Sequence, residues 1–143
     1  MKKLGDLLNE SYAPDCPGRE VLDHVVSKWG MLVMLALAER TYRYAELRRR
    51  VGGVSERMLA LTLRTLEEDG FVARRDYGEV PPRVEYSLTP LGMGLAEHLD
   101  ALGRWIATNT PEVLAAREQH RQRAAKSSAA RAAPHAAGPA PRS

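Results

Sequence analysis

The 143-residue sequence contains a single cysteine and no long hydrophobic run. Because a disulfide within one chain requires two cysteines, Cys16 can be reduced, metal-bound, capped or paired with a second chain, but cannot form an internal disulfide. No segment approaches the roughly 18 consecutive apolar residues that a membrane span needs, and MKKLGDLLNE at the start lacks the apolar stretch of a secretion signal. We therefore expect a cytoplasmic protein.

The sequence also lacks the motifs of common enzymes and metal sites. The patterns GxxxxGKS, GxxxxGKT, HExxH and GxSxG are absent. His24 and His98 lie in helical patterns without a neighbouring nucleophile or a metal-ligand spacing. Cys16 and His24 alone supply too few ligands for zinc. We therefore predict a protein that is not an enzyme and carries no cofactor or metal ion.

The net charge of +3 is distributed unevenly along the chain. Residues 117–143 hold six of the 21 Lys and Arg residues and one of the 18 Asp and Glu residues, which leaves residues 1–116 with 15 basic and 17 acidic groups. In contrast, residues 40–64 hold seven arginines and two glutamates. A concentrated basic surface is what a polyanion requires, although an ordinary solvated helix face explains the same charges.

Residues 16–53 show the periodicity of three helices. The segment CPGREVLDHVVSKWG has apolar residues at helical spacing, which predicts an amphipathic helix. MLVMLALAE is apolar nearly all round, which predicts a buried helix. YAELRRRVGG predicts a third helix that stops at a glycine pair, where a left-handed residue can end it.

The segment GGVSERMLALTLRTLEEDGF predicts a further helix with two different faces. Ser55 is a suitable N-cap, because its hydroxyl accepts from a free backbone N–H at the helix start. At 100° per residue, the core-facing side carries Leu59, Leu63 and Leu66. The opposite side carries Arg57, Leu61, Arg64 and Glu68, with Glu56 and Ala60 beside them.

Beyond this helix the periodicity changes to that of β-strands. FVARRDY and VEYSLT flank an interruption by Gly78, Pro81 and Pro82, which predicts a two-stranded hairpin with a long tip. Thr89 and Pro90 then start a last helix as N-cap and first helical residue. Its apolar stripe is longer than one small domain needs and comprises Leu91, Leu95, Leu99, Leu102 and Ile106.

This order of helices, glycine turn, polar-faced helix and hairpin is the plan of a winged helix-turn-helix, an α+β fold that is mainly α-helical. In that fold the polar-faced helix lies in the DNA major groove, where Arg57 and Arg64 suit guanine O6 and N7 and Leu61 suits a thymine methyl. Ser55 at the helix N-terminus suits a phosphate, and Arg83 at the hairpin tip suits the minor groove or the backbone. The alternative is a small helical domain with a solvated face.

Residues 14–106 also carry a series of short motifs. They are Cys16-Pro17, Lys28-Trp29, Arg43-Tyr44, Glu46-Leu47, the spacing of Leu63, Leu66, Glu67 and Gly70, Val84-Glu85-Tyr86, and Leu88-Thr89. In this order they resemble the HxlR-type family of winged helix-turn-helix transcription regulators, which are MarR-like. The resemblance implies a bacterial homodimer that binds double-stranded DNA, with the helix after Ser55 as the reading helix and residues 78–83 as the wing. Glu56 and Arg43 complete the candidate DNA-contacting residues.

The resemblance also implies dimerisation through the terminal helices, including a short one with Leu4, Leu7 and Leu8. A twofold dimer should bind a pseudo-palindrome whose half-sites lie roughly 34 Å apart. The expected domains are an N-terminal arm or short helix at 1–13, the winged helix-turn-helix at 14–89, a dimerisation helix at 90–116 and a tail at 117–143. Because the tail is rich in Ala, Arg and Pro, we expect it to be disordered.

Cys16 is the candidate regulatory site, because the resemblance implies sensing of oxidants or electrophiles by a cysteine in this position. A helix N-terminus and Arg19 favour the reactive thiolate, whereas Asp15 disfavours it. A disulfide could join only the Cys16 residues of two subunits. In the alternative, Cys16 is inert and a small molecule binds in an interhelix or dimer-interface pocket lined by Trp29, Tyr44 or Trp105. A protein-interaction module without DNA binding is a third hypothesis.

Overall fold

The computed structural model of the chain describes residues 1–132. Its elements are α1 (Leu4–Glu10), α2 (Pro17–Val25), α3 (Lys28–Glu39), β1 (Tyr42–Arg43), α4 (Tyr44–Val51), α5 (Glu56–Glu68), β2 (Val72–Asp76), β3 (Val84–Leu88) and α6 (Pro90–Ala132). Residues Met1–Leu102 form one compact unit, and a second unit begins at Gly103. The mainly helical winged helix-turn-helix expected from the sequence is confirmed.

The junction of α2 and α3 differs from the sequence prediction. The sequence pattern continues the amphipathic helix through residue 30, but the structure ends α2 at Val25 and begins α3 at Lys28. The Ser27 hydroxyl accepts from the Gly30 amide at 3.1 Å, so Ser27 is the N-cap of α3. A Cβ on Gly30 would lie 2.2 Å from the His24 carbonyl oxygen, which shows how closely the two helices approach here.

The core of the first unit lies between α3, α4, α5 and the sheet. Six side chains are almost completely buried there: Val33, Met34, Leu47, Leu59, Leu63 and Leu66. The predicted core-facing stripe of α5 is therefore confirmed. α3 packs against both helices of the helix-turn-helix, α4 and α5, and against β3.

The sheet has three antiparallel strands in the order β1-β3-β2, where the sequence predicts two. β2 and β3 form the expected hairpin, with Arg75 opposite Glu85 and Val72 opposite Leu88. β1 adds only two residues, Tyr42 and Arg43, which face Tyr86 and Glu85. Two residues are too few to show a strand periodicity, which is why the sequence analysis missed this strand.

The last helix begins as predicted and ends later than predicted. Thr89 is the N-cap, and its hydroxyl oxygen accepts from the Gly92 amide at 3.0 Å. α6 then continues to Ala132, so the expectation of a disordered tail from residue 117 is wrong for residues 117–132. Their Ala, Gln, Arg and Lys residues are strong helix formers, and Arg121 pairs with Glu118 at 3.5 Å. Residues 133–143 of the predicted tail lie outside the described residues.

The apolar stripe of α6 is divided between core and surface. Leu99 is buried in the core of the first unit, and Leu95 packs against that core. Leu91, Leu102 and Ile106 are exposed. Among the described residues, no single helix is long and apolar enough to cross a membrane, although α2 and α3, bent by 70° at their junction, meet that requirement together.

Gly92 generates a stability prediction. A Cβ at this position would lie 2.1 Å from the carbonyl oxygen of Phe71, which accepts a hydrogen bond from the Thr89 amide at 3.0 Å. We expect Gly92→Ala to lower the free energy of unfolding by about 1–3 kcal/mol, because backbone has to move. Gly94 lies two residues along the same helix, and a Cβ there would have no atom within 4 Å. Gly94→Ala should therefore raise the free energy of unfolding by up to about 1 kcal/mol. Urea unfolding followed by circular dichroism measures both; equal effects of the two variants would contradict the packing argument.

Candidate nucleic-acid interface

The helix-turn-helix is formed by α4, a glycine turn and α5. Gly52 and Gly53 both have positive φ, at 72° and 76°, a conformation that favours glycine. The turn ends at Ser55, whose hydroxyl oxygen accepts from the Met58 amide at 3.1 Å. Ser55 is therefore the N-cap of α5, as the sequence predicts.

The outward face of α5 is also as predicted. Arg57, Leu61, Arg64 and Glu68 are exposed, while the leucines on the opposite side are buried. Leu61 retains 51% of its accessible surface. Within residues 1–132, neither Arg57 nor Arg64 forms an ion pair with a carboxylate, so both guanidinium groups are available to a ligand.

Side chains of α4 hold the start of α5 in place. The Tyr44 hydroxyl donates to the Glu56 carbonyl oxygen at 2.7 Å. Arg48 donates through Nε to the Val54 carbonyl oxygen and through Nη1 to the Glu56 carboxylate, both at 3.2 Å. Burial, followed by the nearby Glu56 carboxylate, raises the pKa of Tyr44, so its hydroxyl stays protonated and remains a donor.

These contacts change the interpretation of Glu56. Glu56 is a candidate DNA-contacting residue from its position in the sequence, but its carboxylate pairs with Arg48 in the structure. Glu56 therefore neutralises Arg48, one of the seven arginines in residues 40–64. Sequence reasoning missed the roles of Tyr44 and Arg48, because their partners on α5 lie 8 to 12 residues away.

The far end of α5 has an anchor of its own. His24 Nδ1 on α2 lies 2.6 Å from the Asp69 carboxylate at the C-cap of α5, and both side chains are largely buried. A carboxylate at a helix C-terminus is disfavoured by the helix dipole, so a hydrogen-bonding partner at this position offsets that cost. The partners are 45 residues apart, and no local pattern in the sequence indicates the contact.

Arg43 lies on β1, directly before α4. Its backbone amide donates to the Glu46 carboxylate at 3.0 Å, and this hydrogen bond is the main reason that the pKa of Glu46 is lowered. The Arg43 side chain is exposed and lies opposite Glu85 in the sheet. The structure therefore places Arg43 on the edge strand of the wing sheet.

Arg83 follows the tip of the wing, as predicted, but its guanidinium already has a partner. Nη2 and Nε donate to one oxygen of Glu85 at 2.9 and 3.1 Å. The Tyr77 hydroxyl donates to the other oxygen at 2.8 Å. Hydrogen bonds from Tyr77 and then Arg83 lower the pKa of Glu85, which keeps the carboxylate ionised.

Cys16 is the N-cap residue of α2 and is partly buried. It lines a cavity of about 520 Å³ together with Asp15, Pro17 and Arg19. Its Sγ donates to the Glu10 carbonyl oxygen at 3.2 Å. This contact joins the start of α2 to the end of α1.

The aromatic residues proposed to line a ligand pocket have different surroundings. Trp29 packs against the core, with the Lys28 ammonium 4.3 Å from its ring centroid. Tyr44 packs against the core and bonds to Glu56. Trp105 belongs to the second unit and is 61% exposed. Within residues 1–132, no group of three or more His, Cys, Asp and Glu residues is arranged to hold a metal ion.

Comparison with known proteins decides the family. The sequence profile of the HxlR-like helix-turn-helix family matches residues 24–113 of the chain. The chain belongs to the HxlR-like family. It is 56% identical to the HTH-type transcriptional regulator YtfH of Escherichia coli over 108 residues, which cover 76% of this chain and 86% of that protein. The family assignment makes the chain a transcription regulator with a helix-turn-helix domain.

Solved structures of transcription regulators are similar in fold. The transcriptional regulator YtfH of Salmonella typhimurium is 55% identical, with a TM-score of 0.72 over 75% of this chain and 96% of that one. The redox regulator HypR in its oxidised form is 38% identical, with a TM-score of 0.61 over 66% and 97%. The winged fold described here is thus shared with experimentally determined structures.

Ser55 allows its capping role to be separated from a role in DNA binding. Ser55→Ala removes the hydroxyl that accepts from Met58 and should cost about 1 kcal/mol of stability. Ser55→Asp retains a capping oxygen and should keep near wild-type stability, while its added negative charge should weaken DNA binding. Thermal unfolding and DNA titration of both variants measure the two effects. Full DNA affinity in Ser55→Asp would show that this end of α5 is far from phosphate.

Proposed function

We propose that the protein is a sequence-specific DNA-binding transcriptional regulator that acts as a homodimer on a pseudo-palindromic operator. The observation that carries the proposal is the outward face of α5, where two arginines that have no acidic partner within residues 1–132 flank an exposed leucine. Because genomic DNA is the proposed ligand, the proposed site of action is the cytoplasm.

Each residue on this face has a role that its chemistry supports. Arg57 and Arg64 donate in pairs to guanine O6 and N7, and Leu61 contacts a thymine methyl. Ser55 and the first amides of α5 lie next to a phosphate, which fixes the helix in register. Arg43 contacts the backbone from the edge of the sheet. Glu56 supports the face through Arg48 and is at most a minor contact with DNA.

The homodimer is supported by exposed apolar side chains on the terminal helices. Leu4 and Leu8 on α1 are exposed, as are Leu91 and Leu102 on α6. In the second unit, the exposed apolar residues are Trp105, Ile106, Val113 and Leu114. Burial of these side chains against a second copy would place two reading helices on one duplex, roughly 34 Å apart.

Fluorescence anisotropy in a salt series tests the proposal. The reduced protein is titrated into DNA from upstream of its own gene and its neighbours, and into a scrambled duplex. We expect the protein to bind the native fragment at least about a thousandfold more tightly than the scrambled duplex. A variant with Arg117, Arg121 and Arg123 replaced by glutamine controls for non-specific attraction by the second unit. Equal and steeply salt-dependent binding to every native and scrambled duplex would contradict the proposal.

We further propose that Cys16 makes the regulator responsive to oxidants. The support is the position of the thiol at the N-terminus of α2, with Arg19 nearby, and the likeness to a redox regulator. In this scheme the Cys16 thiols of two subunits join, and the oxidant accepts their two electrons and two protons. α2 would transmit the change to α5, because His24 at its other end contacts Asp69.

Oxidation with diamide tests the role of Cys16. We expect a dimer linked by a disulfide on a non-reducing gel and a change in DNA affinity of about 5–150-fold, reversed by dithiothreitol. Cys16→Ser is the matched control. Its DNA affinity should equal that of the reduced wild-type protein, both with and without diamide. Equal responses of wild type and Cys16→Ser, or no response of either, would exclude this cysteine as the sensor.

A further inference from the structure

The inference concerns the wing and rests on the proposed binding of DNA. We propose that Tyr77, Arg83 and Glu85 form a clamp that fixes the wing and presents Arg75, rather than Arg83, to the DNA backbone. Arg83 is then a positioning residue, and Arg75 is the wing residue that contacts phosphate. This assignment differs from the sequence-based one, which places Arg83 on the DNA.

The clamp uses both oxygens of one carboxylate. Glu85 receives two hydrogen bonds from Arg83 on one oxygen and one from the Tyr77 hydroxyl on the other. The Arg83 guanidinium also lies over the Tyr77 ring, 4.1 Å from its centroid. Its remaining terminal nitrogen is 3.9 Å from the Glu79 carboxylate. Arg83 is therefore held by two acids and an aromatic ring of the wing itself.

Backbone contacts close the wing next to the clamp. The Tyr77 amide donates to the Arg83 carbonyl oxygen at 3.0 Å, which continues the β2–β3 pairing by one residue on each side. The Gly78 amide donates to the Asp76 carboxylate at 2.9 Å. Gly78 itself has a φ of 65°, so the chain turns sharply at this point. The clamp thus lies at the base of the tip, where it fixes the orientation of both strands.

Arg75 shares the sheet face of the clamp but lacks an acidic partner. It lies directly opposite Glu85 in the strand register. Its guanidinium lies over the Tyr77 ring at 4.4 Å from the centroid, which restrains the side chain. Within residues 1–132, no carboxylate is close enough to Arg75 for an ion pair. The ring therefore orders Arg75 and leaves its N–H donors to a ligand.

Comparison of the two arginines decides which one should contact phosphate. Moving Arg83 to DNA breaks two charge-assisted hydrogen bonds and leaves the Glu85 carboxylate facing the phosphates without its cation. Arg75 can contact a phosphate without breaking any ion pair. In addition, Arg83 neutralises Glu85, so the repulsion between this acid and the DNA is reduced only while the clamp is intact.

The salt dependence of DNA binding distinguishes the two assignments. Each phosphate contact contributes about 0.9 to the slope of log K against log salt, so loss of one contact per subunit should reduce the slope by about 1.8 in a dimer. We expect this reduction in Arg75→Ala. Arg74→Ala is the matched control, because the neighbouring arginine lies on the opposite sheet face near Asp76 and should keep the wild-type slope.

The double variant is the decisive measurement. If Arg83 acts through Arg75, then Arg83→Ala added to Arg75→Ala should leave the slope unchanged, although the affinity falls because Glu85 loses its cation. A further reduction of about 1.8 would show that Arg83 itself contacts phosphate and would overturn the proposal. Wild-type slope in Arg75→Ala would overturn it as well. Operator preference of the wild type is measured in the same titrations, so failure of the proposed function is recognised separately.

A spectroscopic measurement tests the clamp without DNA. In ¹⁵N–¹H spectra, the Nε–H signal of Arg83 should be shifted and slow to exchange with water, because this group donates to Glu85. Glu85→Gln should remove that signature while circular dichroism shows a folded protein. On addition of operator DNA, the Nε–H signal of Arg75 should move and that of Arg83 should not. The opposite pattern would assign the contact to Arg83.

Discussion

The structure depends on the burial of one side of α5. Leu59, Leu63 and Leu66 are almost fully buried, and complete burial of three leucines contributes at most about 5–9 kcal/mol, which is comparable to the net stability of a small domain. A rotation of α5 that turned its arginines away from solvent would therefore expose these leucines. The orientation of Arg57 and Arg64 toward solvent follows from the packing on the opposite side of the same helix.

The core fixes the rotation of α5, and polar contacts fix its two ends. Tyr44 and Arg48 hold the first turn, while His24 holds the C-cap through Asp69. Both anchors lie on elements that precede α5 in sequence, so α5 is positioned by α2 and α4 as well as by the core. In the proposed redox response, a change at the start of α2 would reach the outward face of α5 through these contacts.

Local features of the fold could be predicted from sequence, and long-range polar contacts could not. The caps at Ser55 and Thr89 and the leucine stripe were predictable, because each depends on residues within one or two helical turns. The break before α3 was missed because Ser27 lies inside an apolar periodicity. The helical residues after Arg117 were missed because an Ala-rich basic composition is common to tails and helices. The hydrogen bonds from Arg83 to Glu85 were missed although the two residues are only two positions apart, because Arg83 was considered only as a ligand for DNA.

The central claim is that the outward face of α5 reads base pairs. The most direct test is the binding free energy of wild type and Arg64→Ala on a set of operators in which each base pair is replaced in turn. The account predicts that Arg64→Ala loses about 1–3 kcal/mol of discrimination at one position of each half-site and retains the profile elsewhere. A profile of unchanged shape, with all affinities lowered equally, would mean that Arg64 contacts only the backbone and would contradict the claim.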